Sequence, residues 1–297
     1  MKIFDCFPYF DEDLLLECRL NILNDYVYKF VIVESSYTHS GNKKKLNFNL
    51  NKFNKFKNKI IYIQSEELPN NLERISDNIS RNEQGHKLIN NANKRENFQR
   101  NKLIEGLNEA KEHDLIIISD LDEIPKLDNI NFDNIKDSIF VFKQKMFYYK
   151  FNLSYHGYTW YGPKICKKKN FLNPVWLRNM KSKKYPLWRI DTFFSKKKSN
   201  NIIHIEDGGW HFTSLKSPSD LQYKMLSFAH HLEYESSNSN LAKLERLIKE
   251  KKINYDHTMD KKKIDKWSKE INLTKVSDSH LPKYLIENKI KYKEWFD

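Results

Sequence analysis

The sequence predicts an α/β fold: a mixed, mostly parallel sheet flanked by helices, with a helical extension at the C-terminal end. Three observations predict it. Nearly continuous apolar runs at Lys2–Tyr9, Tyr28–Ser35 and Leu115–Ser119 have the length and β-branched content of strands buried on both faces. Stretches with helical spacing of apolar residues lie between them. At 297 residues the chain is long enough for one large domain with appendages.

The elements follow in order. "KIFDCFPY" reads as a strand, and "DEDLLLECRLNILND" as a helix with Leu16, Leu20 and Leu23 on one face. The strand "YKFVIVES" ends at a polar loop, "SYTHSGNKKK", and "NKIIYIQS" is the next strand. Glu66 to about Asn91 is polar and Asn-rich and reads as irregular, with at most a short helix. Asn93–Asp114 reads as an amphipathic helix, with Leu103, Ile104, Leu107 and Ala110 on its apolar side, and "LIIIS" as a strand after it. This β-α-β-β-α-β order implies helical crossovers and parallel strands. The second half changes character. Ser138–Ser154 is long, aromatic and β-prone, "YTWYGPKIC" is placed to pair with it, and Asn200–Ser214 reads as strand, turn, strand. Ser217, Pro218 and Asp220 then start a helix carrying Leu221, Met225, Phe228, Ala229 and Leu232 as an apolar stripe. Charged helices end the chain. We expect a catalytic domain over 1–235 and a helical extension over 236–297 packed on it.

Lys and Arg number 52 against 39 Asp and Glu, a net charge of +13, with a sequence pI near 9.3. Such a surface suits an anionic partner: a nucleotide-sugar, a phospholipid face or nucleic acid. Much of the excess sits in Lys runs at 43–45, 167–169, 196–198 and 261–263. Each reads first as a solvated face, with weak attraction to a membrane surface or a phosphate-bearing ligand as the residual possibility. The three cysteines, Cys6, Cys18 and Cys166, are widely spaced and form no CxxC pair, which argues against a zinc site or disulfide framework. No window has the ~20 apolar residues of a membrane span, and the first residues lack a signal-peptide core, so a cytoplasmic protein is expected.

The most informative stretch is "DLIIISDLDEIP", where a buried strand ends in Asp120, Leu121, Asp122 and Glu123. In extended chain, residues i and i+2 point the same way, so Asp120 and Asp122 can aim together past the strand end. In open α/β sheets that is where ligands bind. Paired carboxylates there call for a hard divalent cation, Mn²⁺ or Mg²⁺, whose shell substrate phosphates complete. The bland alternative is an acidic loop capping the next element. A second cluster lies on the preceding helix: Arg95, Gln99 and Arg100, where Arg offers phosphate a fork geometry that Lys cannot copy. Here the alternative is a surface pair between Glu96 and Arg100. The third cluster is "DGGWHF", with Trp210 as a stacking platform for a sugar or base and His211 as a metal or diphosphate contact. A hydrogen-bonded core histidine is the alternative reading there.

Together these pieces resemble a GT-A-type glycosyltransferase, and more specifically glycosyltransferase family 17. The stretches that carry the resemblance are "IFDCFPYFDEDLLLECRLNIL", "FVIVESSYTHSG", "RENFQRN", "IIISDLDEIP" and "GGWHF", in that order, from about Lys2 to Phe212. The resemblance implies a Rossmann-like nucleotide-binding sheet, Mn²⁺ (or Mg²⁺) held through the D-x-D segment, a UDP-sugar donor with N-acetylglucosamine as default, and inversion at the anomeric carbon. It implies that Asp120 and Asp122 bridge metal and diphosphate, with His211 beside them. It places Glu34 near the uridine, Thr38, His39, Ser40 and Gly41 in the neighbouring loop, and Arg95, Gln99 and Arg100 along the donor site. Members with a membrane anchor act in the Golgi. The missing anchor here points to a bacterial or viral relative and leaves the acceptor open between glycan and glycolipid. Family members often carry His-x-Glu after the helix that follows "GWHF"; here His230, His231, Leu232 and Glu233 stand one residue out of step and receive no role.

For the base that takes the acceptor proton, Asp207 is the first candidate, then Glu123 and Glu206. Two rivals stand beside the transferase. A D-x-D phosphohydrolase of the haloacid-dehalogenase type also places this motif after a strand. It usually does so near the N-terminus, with Thr or Val where this chain has Ile124, whereas here 119 residues precede Asp120. A basic nucleic-acid-binding protein suits the charge but leaves the carboxylates unexplained.

Overall fold

The computed structural model describes residues 1–128, 130–131, 137–182, 201–228, 240–257 and 269–297. Its first half is a parallel sheet. β1 (Ile3–Tyr9) pairs on one side with β2 (Lys29–Ser35) and on the other with β4 (Leu115–Ile118), and β2 pairs with β3 (Ile60–Ser65), all in parallel. The order β3-β2-β1-β4 reverses between β1 and β4, the switch point of a doubly wound sheet.

Side chains alternate across these strands, which is why the sequence shows runs and not alternation. Ile3, Phe7, Phe30, Ile32, Leu115 and Ile117 pack on one face with helix α1 (Asp13–Leu23). Phe4, Cys6, Val31, Val33, Ile116 and Ile118 pack on the other with Leu103 and Leu107. Both faces are dry, so every strand position demands an apolar residue. Asp5 in β1 and Glu34 near the end of β2 depart from this, both fully buried, Asp5 on the α1 side.

Helix α2 spans Arg81–Lys102, starting well before the amphipathic stretch that announced it. Ser80 caps it by accepting from the Glu83 amide, the pattern of a capping box. Its buried residues are Asn91, Ala92, Gln99 and Arg100, a mostly polar set, so hydrophobic periodicity had little to register. The helix also ends sooner than expected. Leu103–Leu107 is a 3₁₀ turn and leaves Ile104 exposed. Gly106 sits against Val31, where a Cβ would lie 2.3 Å from a Val31 methyl.

The second half continues the same sheet as a mixed one. β7 (Leu153–Lys167) runs antiparallel to β4 and to β6 (Ile139–Tyr148). β6 then pairs in parallel with β8 (Ile202–Ile205) along its first half and with β9 (Gly209–Thr213) along its second. β5 (Glu123–Pro125) closes the edge antiparallel to β9, joining the D-x-D segment to "GGWHF". Gly208 and Gly209 make this possible. A Cβ on Gly208 would lie 2.9 Å from the Lys143 amide nitrogen, and one on Gly209, whose φ is +119°, 2.2 Å from the Ile124 carbonyl. The glycines thus admit neighbouring strands and not a ligand.

Short helices α3 (Pro174–Asn179) and α4 (Pro218–Ser227) flank the sheet. Ser217 and Asp220 cap α4 as expected, but Ala229 and Leu232 of its stripe lie outside the described residues, as do the Lys runs at 196–198 and 261–263, the His230–Glu233 segment and the 235/236 boundary. Beyond it come α5 (Leu241–Lys249), the paired strands β10 (Lys252–Ile253) and β11 (Ile271–Asn272), β12 (Thr274–Lys275) on β7, and α6 (Lys283–Glu287). Leu281, Leu285 and Tyr292 join the α1 face of the core. No helix among the described residues is long and apolar enough to cross a membrane.

Gly209→Ala should destabilise the protein by on the order of 3 kcal/mol, through the positive φ and the clash with Ile124. Chemical denaturation measures it; a loss under about 0.5 kcal/mol would contradict the β5–β9 packing described.

Candidate active site

A cavity of about 720 Å³ opens at the C-terminal ends of β1, β2 and β4, over the switch point. Its floor is the turn that leaves β4, and Arg19 of α1 builds that turn. The Arg19 guanidinium forms a fully buried pair with Asp5, at 2.8 and 2.6 Å. Its remaining donors reach the Ser119 hydroxyl at 2.6 Å and the backbone carbonyls of Asp120, Leu121 and Glu123 at 3.0, 3.1 and 2.8 Å. One side chain thus satisfies the tight turn's inward carbonyls and leaves the carboxylates pointing outward.

Asp120 stands between two arginines. Arg100 donates to one carboxylate oxygen at 2.8 Å and Arg178, from α3, to the other at 2.6 Å. Burial opposes ionisation of Asp120, but Arg178 and Arg100 outweigh it and hold its carboxyl well below the usual range. Arg100 also pairs with Glu96 at 2.9 Å. Glu123 is sealed beneath: it is fully buried, takes a two-pronged pair from Arg178 at 2.7 and 2.8 Å, and accepts the Trp160 indole N–H at 2.7 Å. No oxygen is free for a substrate proton, so Glu123 positions Arg178 and Trp160 and does not reach the cavity as a base.

Asp122 faces the other wall. Its Oδ1 lies 3.5 Å from His211 Nε2, and its backbone carbonyl accepts from the Phe212 amide at 2.9 Å. Burial disfavours its charge, yet His211 and then Lys224 outweigh burial and lower its pKa. Lys224 is partly buried, which opposes its charge, but Glu12, 3.1 Å away, and Asp122 carry its pKa up to about 12. His211 packs against Trp160 with ring centroids 4.5 Å apart and ring planes tilted by 38°, and its Nδ1 is buried without a hydrogen-bond partner.

The third wall is the loop after β2. Glu34 is fully buried and fastens that loop, accepting from the Asn47 and Phe48 amides, the Tyr62 hydroxyl and the Lys44 ammonium, which is therefore no solvated charge. The Thr38 hydroxyl accepts from the Gly41 and Asn42 amides and contacts the Ser40 hydroxyl, closing a tight turn. Gly41 has φ +110°, and a Cβ there would lie 2.8 Å from the Arg95 guanidinium. Arg95 donates to the His39 carbonyl, and Gln99 ties the His39 ring to the Val33 carbonyl. Thr38, His39, Gln99 and Arg100 line the cavity, whereas Glu34, Ser40 and Arg95 brace it from behind.

The family model of glycosyltransferase family 17 matches residues 1–296. The chain belongs to glycosyltransferase family 17. It is accordingly a glycosyltransferase. No curated protein matches the sequence. Among solved structures, the 2-C-methyl-D-erythritol 4-phosphate cytidylyltransferase of Francisella tularensis is similar at 10% identity, over 77% of this chain and 100% of that one. Its TM-score is 0.34, too low to bear on function.

Asp207, Glu206 and Trp210 are not brought to the site of this family 17 glycosyltransferase. Asp207 lies on the β8–β9 turn, where its half-exposed side chain pairs with Lys126 at 2.8 Å and Lys145 at 3.3 Å; Glu206 beside it pairs with Lys143. Trp210 points into the α1-side core and donates to the His280 carbonyl at 2.7 Å. Strand alternation sends Trp210 and His211 to opposite faces, so only one of them can look into the cavity. Its place as the cavity's tryptophan is taken by Trp160. Trp160 and Arg178 have no motif of their own in the sequence. A further cation near the D-x-D turn could have been anticipated, because Asp120, Asp122 and Glu123 need more positive charge than Arg100 supplies, but nothing local singles out Arg178.

Among the described residues no group of three or more His, Cys, Asp and Glu is arranged to enclose a metal ion. The cavity offers a pair, the Asp122 carboxylate and the His211 imidazole, whose Nε2 faces it at 3.5 Å. One carboxylate and one imidazole suit an ion that completes its shell with substrate phosphates, as Mn²⁺ and Mg²⁺ do. Both Asp120 oxygens, in contrast, are taken by arginines.

Two predictions follow from these pairs. Arg19→Ala leaves Asp5 buried without its partner and should cost about 3–5 kcal/mol in chemical denaturation. Asp120, Asp122 and Glu96 all have folded pKa values below their ordinary ones, so the stability they confer is present above about pH 4 and lost as pH falls toward the folded values. Asp120→Asn should therefore flatten the fall in melting temperature between about pH 5 and about pH 2; an unchanged slope would refute the Asp120 assignment.

Proposed function

We propose that this glycosyltransferase moves a sugar, N-acetylglucosamine as the default, from its UDP-linked donor to a hydroxyl of a glycan or glycolipid acceptor, with inversion and with Mn²⁺ or Mg²⁺ bound. The observation that carries the reading is the Asp122–His211 pair facing Arg100, Arg178 and Lys224 across one cavity at the switch point. That set suits a diphosphate accompanied by a divalent cation. Asp122 and His211 would hold the ion, which when bound offsets charge on the leaving diphosphate.

The chain's own residues do the rest. Arg100, Arg178 and Lys224 supply fixed positive charge where the diphosphate gains negative charge, and they are pre-aimed by Glu96, Glu123 and Glu12. Phe10, His39 and Phe228 form an aromatic wall at the ends of β1 and β2, suited to a nucleobase: Phe10 and His39 lie 6.1 and 5.8 Å from Phe228. In the transfer the acceptor oxygen bonds to the anomeric carbon as the bond to the UDP oxygen breaks, and the hydroxyl proton leaves to a base. Asp207 and Glu123 are not in position to be that base. The D-x-D phosphohydrolase reading gains nothing, because a nucleophilic Asp120 needs a free oxygen. The exposed lysines suit weak peripheral contact with an anionic surface that carries the acceptor.

Isothermal titration with UDP decides the donor. UDP should bind with Mn²⁺ present and at least about tenfold more weakly without it, and Asp122→Ala should abolish the metal dependence. At 100-fold over Kd, UDP should stabilise the wild type by about 2.7 kcal/mol. Metal-independent UDP binding would remove the role given to Asp122 and His211, and no UDP binding at all would remove UDP as the donor nucleotide.

A further inference from the structure

Away from Asp122 the cavity wall becomes aromatic, and an irregularity in β7 makes it so. Gln144 and Met146 of β6 are two residues apart, yet their partners Trp160 and Tyr155 on β7 are five apart. Three extra residues are therefore accommodated in β7, around Gly157 at φ +96°. A bulge with an odd number of extra residues reverses the side to which the following side chains point. It brings Tyr155, Tyr158 and Trp160 together, where regular alternation would separate Tyr155 from the other two. Tyr155 is buried behind, while Tyr158 and Trp160 are half-buried and present ring surface outward.

The cluster reaches the site already described through Trp160 and His257, which line the cavity, with Tyr158 beside them. Trp160 lies 4.5 Å from His211 on one side and 6.4 Å from Tyr158 on the other, and His257 completes the wall 5.5 Å from Tyr158. Two of the rings are held by their polar edges: the Trp160 indole N–H is committed to Glu123, and His257 contacts the Tyr148 hydroxyl. Rings held in this way offer a ligand their faces. That suits the C–H-rich side of a pyranose ring, whose hydroxyls remain at the periphery.

We propose that Tyr158, Trp160 and His257 form the acceptor-sugar subsite, in which a pyranoside stacks with its nucleophilic hydroxyl turned toward the Asp122–His211 end. The assignment rests on the transfer reading above but is tested by binding alone. Methyl β-glycosides of glucose, mannose, galactose and N-acetylglucosamine serve as probes in saturation-transfer difference NMR, with and without UDP and Mn²⁺. At least one should bind the wild type, with saturation strongest on the protons of one ring face. Tyr158→Ala should weaken it by about tenfold, and Tyr158→Phe, which keeps the ring, should restore it. Tyr158→Leu keeps apolar bulk, so it secures a folded ring-free variant and should behave as Tyr158→Ala does. UDP affinity should be the same in all four proteins. Pyranoside binding that is equal in wild type and the ring-free variants, or absent in the wild type, overturns the subsite. Failure of UDP to bind, with stacking intact, instead overturns the donor reading.

Discussion

One guanidinium holds this site together. Arg19 reaches from α1 under the sheet, pairs with Asp5 on β1, and gathers the carbonyls of the turn that leaves β4. A tight turn with inward carbonyls and outward carboxylates would otherwise bury unsatisfied backbone groups beneath a concentration of negative charge. Asp5 keeps Arg19 in place, the apolar strands keep Asp5 in place, and the orientation of Asp120, Asp122 and Glu123 follows.

From there order spreads by charge. Glu123 and Asp120 fix Arg178, and Arg178 sits on a six-residue helix, too short to be stable alone. The buried Lys164 ammonium holds that helix's last carbonyls, donating to those of Arg178 and Met180 at 2.5 Å. On the opposite side Glu12 aims Lys224, and α2 brings Arg100 and Gln99 forward while Arg95 braces the loop below. Each cation that faces the cavity is aimed by a carboxylate that a separate element supplies.

Much of this could be read from the residues. The strands of the parallel half were visible because Phe4, Val31 and Ile116 face one core and Phe7, Ile32 and Ile117 another, so no position alternates. The D-x-D turn was visible because carboxylates directly after such a strand have few explanations. Helix α2 was partly hidden because it buries Asn91, Gln99 and Arg100 for tertiary hydrogen bonds, where periodicity looks for leucine. Asp207 was misplaced because nearness to the glycines in sequence looked like nearness to a ligand, whereas the glycines serve strand packing. Trp210 was misplaced by one step of strand alternation. Trp160 and Arg178 were out of reach because they come to the site through a β-bulge and a short helix, which leave no local pattern.

The cations of the resting cavity are already engaged. Arg100 holds Glu96 and Asp120, Arg178 holds Asp120 and, from beneath, Glu123, and Lys224 holds Glu12. A bare diphosphate entering such a place meets repulsion and finds both arginines already engaged by internal carboxylates that act as resident competitors. A divalent ion held beside Asp122 would offset the charge the anion brings and let it take those arginines by exchange. On the function proposed above, the cavity is closed to an unaccompanied diphosphate and open to one that arrives as a salt.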